Sequence, residues 1–106
     1  MIKEQLAATI SAALEHAKTA GDLPLDAIPP VTLEMPRNRA HGDWATNIAL
    51  ILAPLLGMPP RDVAARVVSL LPIGDGAPIA RAEIAGPGFI NLTLRPEMAR
   101  GYFEEN

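Results

Sequence analysis

The stretch AHGDWATNIALILAPLL, residues 40–56, holds the only Trp of the chain, one of its two His and its longest nearly unbroken apolar run, Ile48 to Leu56. A run of that length without β-branched alternation reads as a buried helix, because strands are usually shorter and show a period of two. His41-Gly42-Asp43 makes a polar lead-in. Asp43 is placed to act as an N-cap: its carboxylate can accept orphan N–H groups of the first turn and oppose the positive end of the helix dipole. Gly42 supplies the backbone angles for a sharp approach from an extended segment. Pro54 removes one helical hydrogen bond and crowds the carbonyl of Leu50, which predicts a kink or an early end near Ala53. This is the expected core helix.

Upstream, Ile2 to Ala20 reads as an amphipathic helix, with Ile2, Leu6, Ile10, Leu14 and Ala17 recurring at helical spacing. Gly21 is placed to end it. Leu23 to Pro30 carries Pro24, Pro29 and Pro30 and reads as a surface loop. Val31 to Met35 alternates, which predicts a short half-buried strand with Val31, Leu33 and Met35 on its inner face. Downstream, Pro60 suits the first turn of a further helix over Arg61 to Leu71, with Val63, Ala64, Val67, Leu70 and Leu71 inward. Ile79 to Ala85 and Phe89 to Leu94 form two strands joined at Gly86-Pro87-Gly88, an antiparallel hairpin. A last helix starts near Pro96. The expected order is α-β-α-α-β-β-α: an α+β fold with a small antiparallel sheet of three or four strands and helices on one face.

The length, 106 residues, fits a single domain over residues 1–106. Absence of Cys excludes a disulfide framework and thiolate metal sites, and fits a reducing cytoplasm. The N-terminus lacks the basic head and apolar block of a signal peptide. No apolar run approaches the roughly 20 residues that span a bilayer, so the expectation is a soluble cytoplasmic domain. Twelve acidic against nine basic residues leave a net charge of −3, whereas long-range attraction to nucleic acid normally needs a cationic excess. Between Val31 and Arg66 the basic residues Arg37, Arg39, Arg61 and Arg66 just outnumber Glu34, Asp43 and Asp62. Any polyanion would be held locally.

The second strand of the hairpin is the informative one. Alternation sends Ile90, Leu92 and Leu94 to one face and Phe89, Asn91, Thr93 and Arg95 to the other. On the first strand Ala80, Ala82 and Ile84 are the natural core face, leaving Arg81 and Glu83 opposite. The open face then presents Phe89, Asn91, Thr93, Arg81 and Glu83 together, beside Thr32 and Glu34. An outward Phe next to an Asn is what reading an unstacked base requires: a ring to stack on, and an amide that can donate and accept at a base edge. The competing reading is a Phe covered by the C-terminal helix, with Asn91 tolerated on a solvated face. His41 with Asp43 lacks the nucleophile, third ligand and oxyanion donors of a catalytic or metal site; a capping Asp and a His packing at a helix start account for them. His16 sits on a polar helix face, and no phosphate-cradling glycine motif stands out. No catalytic or metal-ligating residue is assigned.

HGDWATNIALILA, PPRDVAARVVSLL and IARAEIAGPGFINLTL, in that order and spacing, resemble the N-terminal additional domain of arginyl-tRNA synthetases. The resemblance covers roughly Val31 to Leu94. It is strongest at His41-Gly42-Asp43, at Pro60-Arg61 and at Ala85-Gly86-Pro87-Gly88-Phe89-Ile90-Asn91. Pro54 departs from it, standing where the family tends to carry a Lys. The resemblance implies an α+β domain that recognises the D-loop at the elbow of arginine tRNA, with an aromatic and an Asn two residues later, here Phe89 and Asn91, contacting a D-loop base. Arg81 and Thr93 on the same face complete the expected tRNA-binding set, and His41, Gly42, Asp43, Gly86 and Gly88 form the structural motif. The implied partners are arginine tRNA and the catalytic domain of the same chain, with neither DNA nor membrane. ATP belongs to that catalytic domain, whose HIGH- and KMSK-type signatures are not among these residues, so this domain is expected to need no cofactor and to be a binding module. The alternative is a structural or protein-interaction module docked on the catalytic domain or another subunit; a small hydrolase built on His41 and Asp43 is the remote third.

Overall fold

Gly86-Pro87-Gly88 reverses the chain between β2 (Ile79–Ala85) and β3 (Phe89–Leu94) in the computed structural model, which describes residues 2–96. The hairpin is antiparallel, with Ala85 opposite Phe89, Glu83 opposite Asn91 and Arg81 opposite Thr93. β3 is the middle strand of three, because β1 (Trp44–Thr46) pairs antiparallel with its other side. Three helices supply the second layer: α1 (Ile2–Thr19), α2 (Ile48–Leu56) and α3 (Pro60–Leu70). The element order is the expected α-β-α-α-β-β. The expected last helix, over residues 96–106, lies outside the described residues but for Pro96.

The core is filled by aliphatic side chains from both layers. Leu6, Ile10, Leu14 and Ala17 of α1 and Val63, Ala64 and Val67 of α3 are buried with Ile48, Ala49, Leu52 and Ala53 of α2. Against them lie Ile79, Ile90, Leu92 and Leu94 from the sheet. Each fully buried Leu or Ile contributes about 1.5–3 kcal/mol of transfer free energy, so the period-two pattern of β3 strongly fixes which face points in. α1 ends as its sequence predicts: Asp22 N–H donates to Ala17 O at 2.8 Å and Gly21 N–H to Lys18 O at 3.1 Å, the paired bonds of a Schellman motif. Among the described residues no single helix is long and apolar enough to cross a membrane.

Several expectations are corrected. The segment Trp44–Thr46 is extended, not helical, and α2 begins at Ile48 after an N-cap at Asn47. Trp44 and Thr46 face the core while Ala45 faces away, so this short stretch obeys period two. Asp43 is therefore no helix cap; its carboxylate accepts the Leu94 N–H at 2.8 Å. The cap hydroxyl comes from Thr46, whose Oγ1 accepts the Ile48 N–H at 3.2 Å. Pro54 does not end α2 early, since the helix runs on to Leu56 and closes with the Gly57 N–H on Ala53 O. Nor is α2 buried all round, as Ile51, Pro54 and Leu55 are exposed.

Val31 to Met35 is not a strand. Glu34 alone pairs there, exchanging two backbone bonds of 2.9 and 2.7 Å with Ala45. The ladder cannot extend because its next rungs would need a backbone N–H from Pro36, which has none, and extended backbone at Asn47, which has turned into the helix cap. Leu33 is buried as expected, but Met35 is 61% exposed. The proline-bearing loop also reaches inward: Leu23 is buried, and Leu25 and Ile28 pack on the core. On β2 the register slips at Ala80, which leaves Ile79 buried and Ala80 exposed. This bulge restarts the alternation, so Ala82 and Ile84 keep the core face expected of them while Ala80 does not.

Candidate nucleic-acid interface

Three of the sequence motifs meet around β3. Gly42 lies against it so closely that a Cβ there would come 2.8 Å from Leu92 O, and its φ of +130° is a conformation side chains rarely allow. Asp43 then ties on from both sides of its peptide: its N–H donates to Leu92 O at 2.8 Å while its carboxylate takes the Leu94 N–H. At the other end Gly88 rests on Pro60, where a Cβ would meet Pro60 Cβ at 2.8 Å. Arg61 Nη1 donates to Gly86 O. The start of α3 and the hairpin turn are one joint, and the His-Gly-Asp segment is the clamp on the far end of the strand. These contacts hold β3, and with it the orientation of Phe89, Asn91 and Thr93.

The open face is the one expected. Ile90 and Leu92 are fully buried, while Phe89 is 41% exposed and Asn91 and Thr93 are half-buried on the side away from the helices. Arg81 and Glu83, opposite Thr93 and Asn91, are exposed. Glu34 joins the same face through its pairing with Ala45, which itself stands opposite Asn91. Next to Phe89 the surface is hollowed into a cleft of about 110 Å³, walled on the other side by Thr32, Glu34 and Met35 and reaching Asn47. A second hollow, of about 210 Å³, lies between residues 24–27 and Leu55 of α2.

Met35 and Asn47 were not read from the sequence as part of this face. Asn47 could have been found, since an Asn directly before an apolar helical run is a start signal. Its Oδ1 lies 3.5 Å from the Thr32 hydroxyl, which can donate to it. Met35 gave no signal, because alternation placed it inside. His41 is exposed and the Asp43 carboxylate is bound to the backbone of β3, so the two do not form a base and its orienter. Among the described residues no group of three His, Asp or Glu side chains is placed to hold a metal ion.

A helix-backed antiparallel sheet whose open face carries an aromatic beside an amide makes this a small α+β domain. A family profile described as the arginyl tRNA synthetase N terminal domain matches residues 2–94, and the chain belongs to that family. The chain is 48% identical over 103 residues to the arginine–tRNA ligase of Alcanivorax borkumensis, covering 97% of this chain and 17% of that protein. It is 50% identical over 99 residues to the ligase of Micrococcus luteus, with 89% and 17% covered. The chain thus spans about 17% of the length of the curated relatives it matches. The Thermus thermophilus arginyl-tRNA synthetase structure shares the fold at a TM-score of 0.68 and 22% identity, over 92% of this chain and 14% of that one. The Plasmodium falciparum arginyl-tRNA synthetase structure does so at 0.71 and 11%, over 91% and 16%.

Proposed function

We propose that this domain holds the D-loop at the elbow of arginine tRNA, and so positions the acceptor end for aminoacylation by the remainder of a cytoplasmic arginine–tRNA ligase. The observation that carries this is the Phe89–Asn91 pair on the open side of the central strand, the aromatic 41% exposed beside a shallow cleft. An unstacked D-loop base lies on the Phe89 ring, and the Asn91 amide meets its edge. ATP and arginine belong to the remainder of the ligase, and this domain supplies placement alone, without a cofactor.

Phe89→Ala and Asn91→Ala in the full-length ligase test the reading. Base stacking and a paired amide contact are each worth roughly 1–3 kcal/mol, so each variant should lower kcat/KM for tRNA about 5- to 150-fold. Arginine activation should stay near normal. A second reading, docking on the remainder of the ligase without touching RNA, draws on the net charge of −3 and on the exposed Ile51, Leu55 and Met58. It requires both variants to charge tRNA at the normal rate.

A further inference from the structure

We propose that the open face is polarised along β3, so that a nucleotide lies on it one way round: base over Phe89 and Asn91, adjoining phosphate over Thr93 and Arg81. This rests on the base-reading role proposed above. The cross-strand pairings arrange the face in rows. Glu34, Ala45, Asn91 and Glu83 stand side by side in one of them, each directly opposite the next. Residues so paired have their Cβ atoms about 4.5–5.5 Å apart. Asn91 therefore has an exposed carboxylate next to it on β2, and a second beyond the small Ala45. The next row toward the end of β3 is Thr93 with the exposed Arg81. The loop before β1 closes in on that row, since a Cβ on Gly42 would lie 3.3 Å from Thr93 Oγ1. The exposed His41 precedes Gly42, and the exposed Arg37 opens the same loop. The row on the other side, Phe89 with Ala85, carries no charge.

A phosphate lying over the Asn91 row would face two carboxylates with no cation in the row. A neutral base edge meets no such repulsion there, and its N–H groups find acceptors in the Glu83 carboxylate and the Asn91 carbonyl. The Thr93 row offers a guanidinium and a hydroxyl, which is phosphate chemistry; the nearby Asp43 carboxylate sits at its β1 end, held on the Leu94 N–H. The exposed cation Arg81 and the exposed carboxylates Glu83 and Glu34 are separated by a single same-face step along the strand. Turning the nucleotide round would set phosphate on carboxylate and base on guanidinium. The carboxylate row thus acts as a fence that directs the backbone, and it also explains how a domain of net charge −3 can hold RNA at a defined place.

The test is the salt dependence of binding between an arginine tRNA transcript and the full-length ligase. Arg81→Ala should flatten the plot of log Kd against log salt by about 0.7–0.9, the loss of one phosphate contact. Its affinity gap from the parent should accordingly shrink about threefold between 50 and 200 mM salt, with the preference among D-loop bases unchanged. Glu83→Gln should tighten binding at low salt and blunt that preference. Phe89→Ala should lose the preference and keep the slope, and Lys3→Ala, on the helical side of the sheet, should match the parent. If Arg81→Ala and Glu83→Gln behave as the parent while Phe89→Ala still costs binding, the polarity is wrong and base reading stands. If Phe89→Ala also binds like the parent, RNA does not cross this face and both readings fall.

Discussion

The Asp43 carboxylate meets the Leu94 N–H where β1 has ended and the chain has turned away at Gly42. Beyond Trp44 there is no further strand residue to take that donor, so a side chain substitutes for one. A partly buried N–H deprived of its acceptor costs about 1–3 kcal/mol, and Asp43→Ala should destabilise the domain by that much. Asp43→Asn keeps a carbonyl oxygen in place and should recover most of the loss. Denaturant midpoints at unchanged slope measure both; equal losses in the two variants would show that the hydrogen bond is not what matters. The same residue shows a limit of sequence reading, because an Asp shortly before an apolar run is an N-cap signal whether or not a strand intervenes. Only Thr46-Asn47, nearer the run, marked the true start.

At the scale of elements, the joint between α3 and the hairpin turn explains why Pro60-Arg61 and Gly86-Pro87-Gly88 occur together. Gly88→Ala would drive a methyl to 2.8 Å from Pro60 Cβ and 3.2 Å from its carbonyl carbon. Overpacking of this kind costs typically about 1–3 kcal/mol. Because Phe89 is the next residue, the variant should also lose efficiency toward tRNA, and a thermal melt beside a charging assay separates the two effects. A protein as stable as the parent with a full charging rate would show the joint to be loose. The strands of the hairpin and both amphipathic helices were legible because each buries one face, and burial writes its period into the residues. β1 was not: three residues beside a nine-residue apolar helix are too few to show a period of their own. The bulge at Ala80 was equally hidden, since alanines on both faces of β2 leave the register to backbone geometry. The Phe89–Asn91 platform was legible for the opposite reason: an aromatic out of phase with Ile90, Leu92 and Leu94 stands out against a strict alternation.

At the scale of the whole molecule, the proposed division of labour can be tested on the chain by itself. The chain matches about 17% of the length of the ligases it resembles, and the described residues show an open sheet face and no metal-holding cluster. The 106-residue chain alone should not support arginine-dependent exchange of pyrophosphate into ATP; exchange above background would assign it chemistry as well as placement. The sheet's two rims bear on how the domain behaves beside other copies of itself. The outer side of β1 is three residues long and already engaged by Glu34, with Pro36 following where a further rung would need an N–H. The outer rim of β2 is broken by the bulge at Ala80 and carries Arg81 and Glu83. Neither rim offers a long flat template for a foreign strand, and these are devices by which open sheets avoid edge-to-edge aggregation. An open sheet face whose margins are closed in this way is guarded against adding a strand from a second copy.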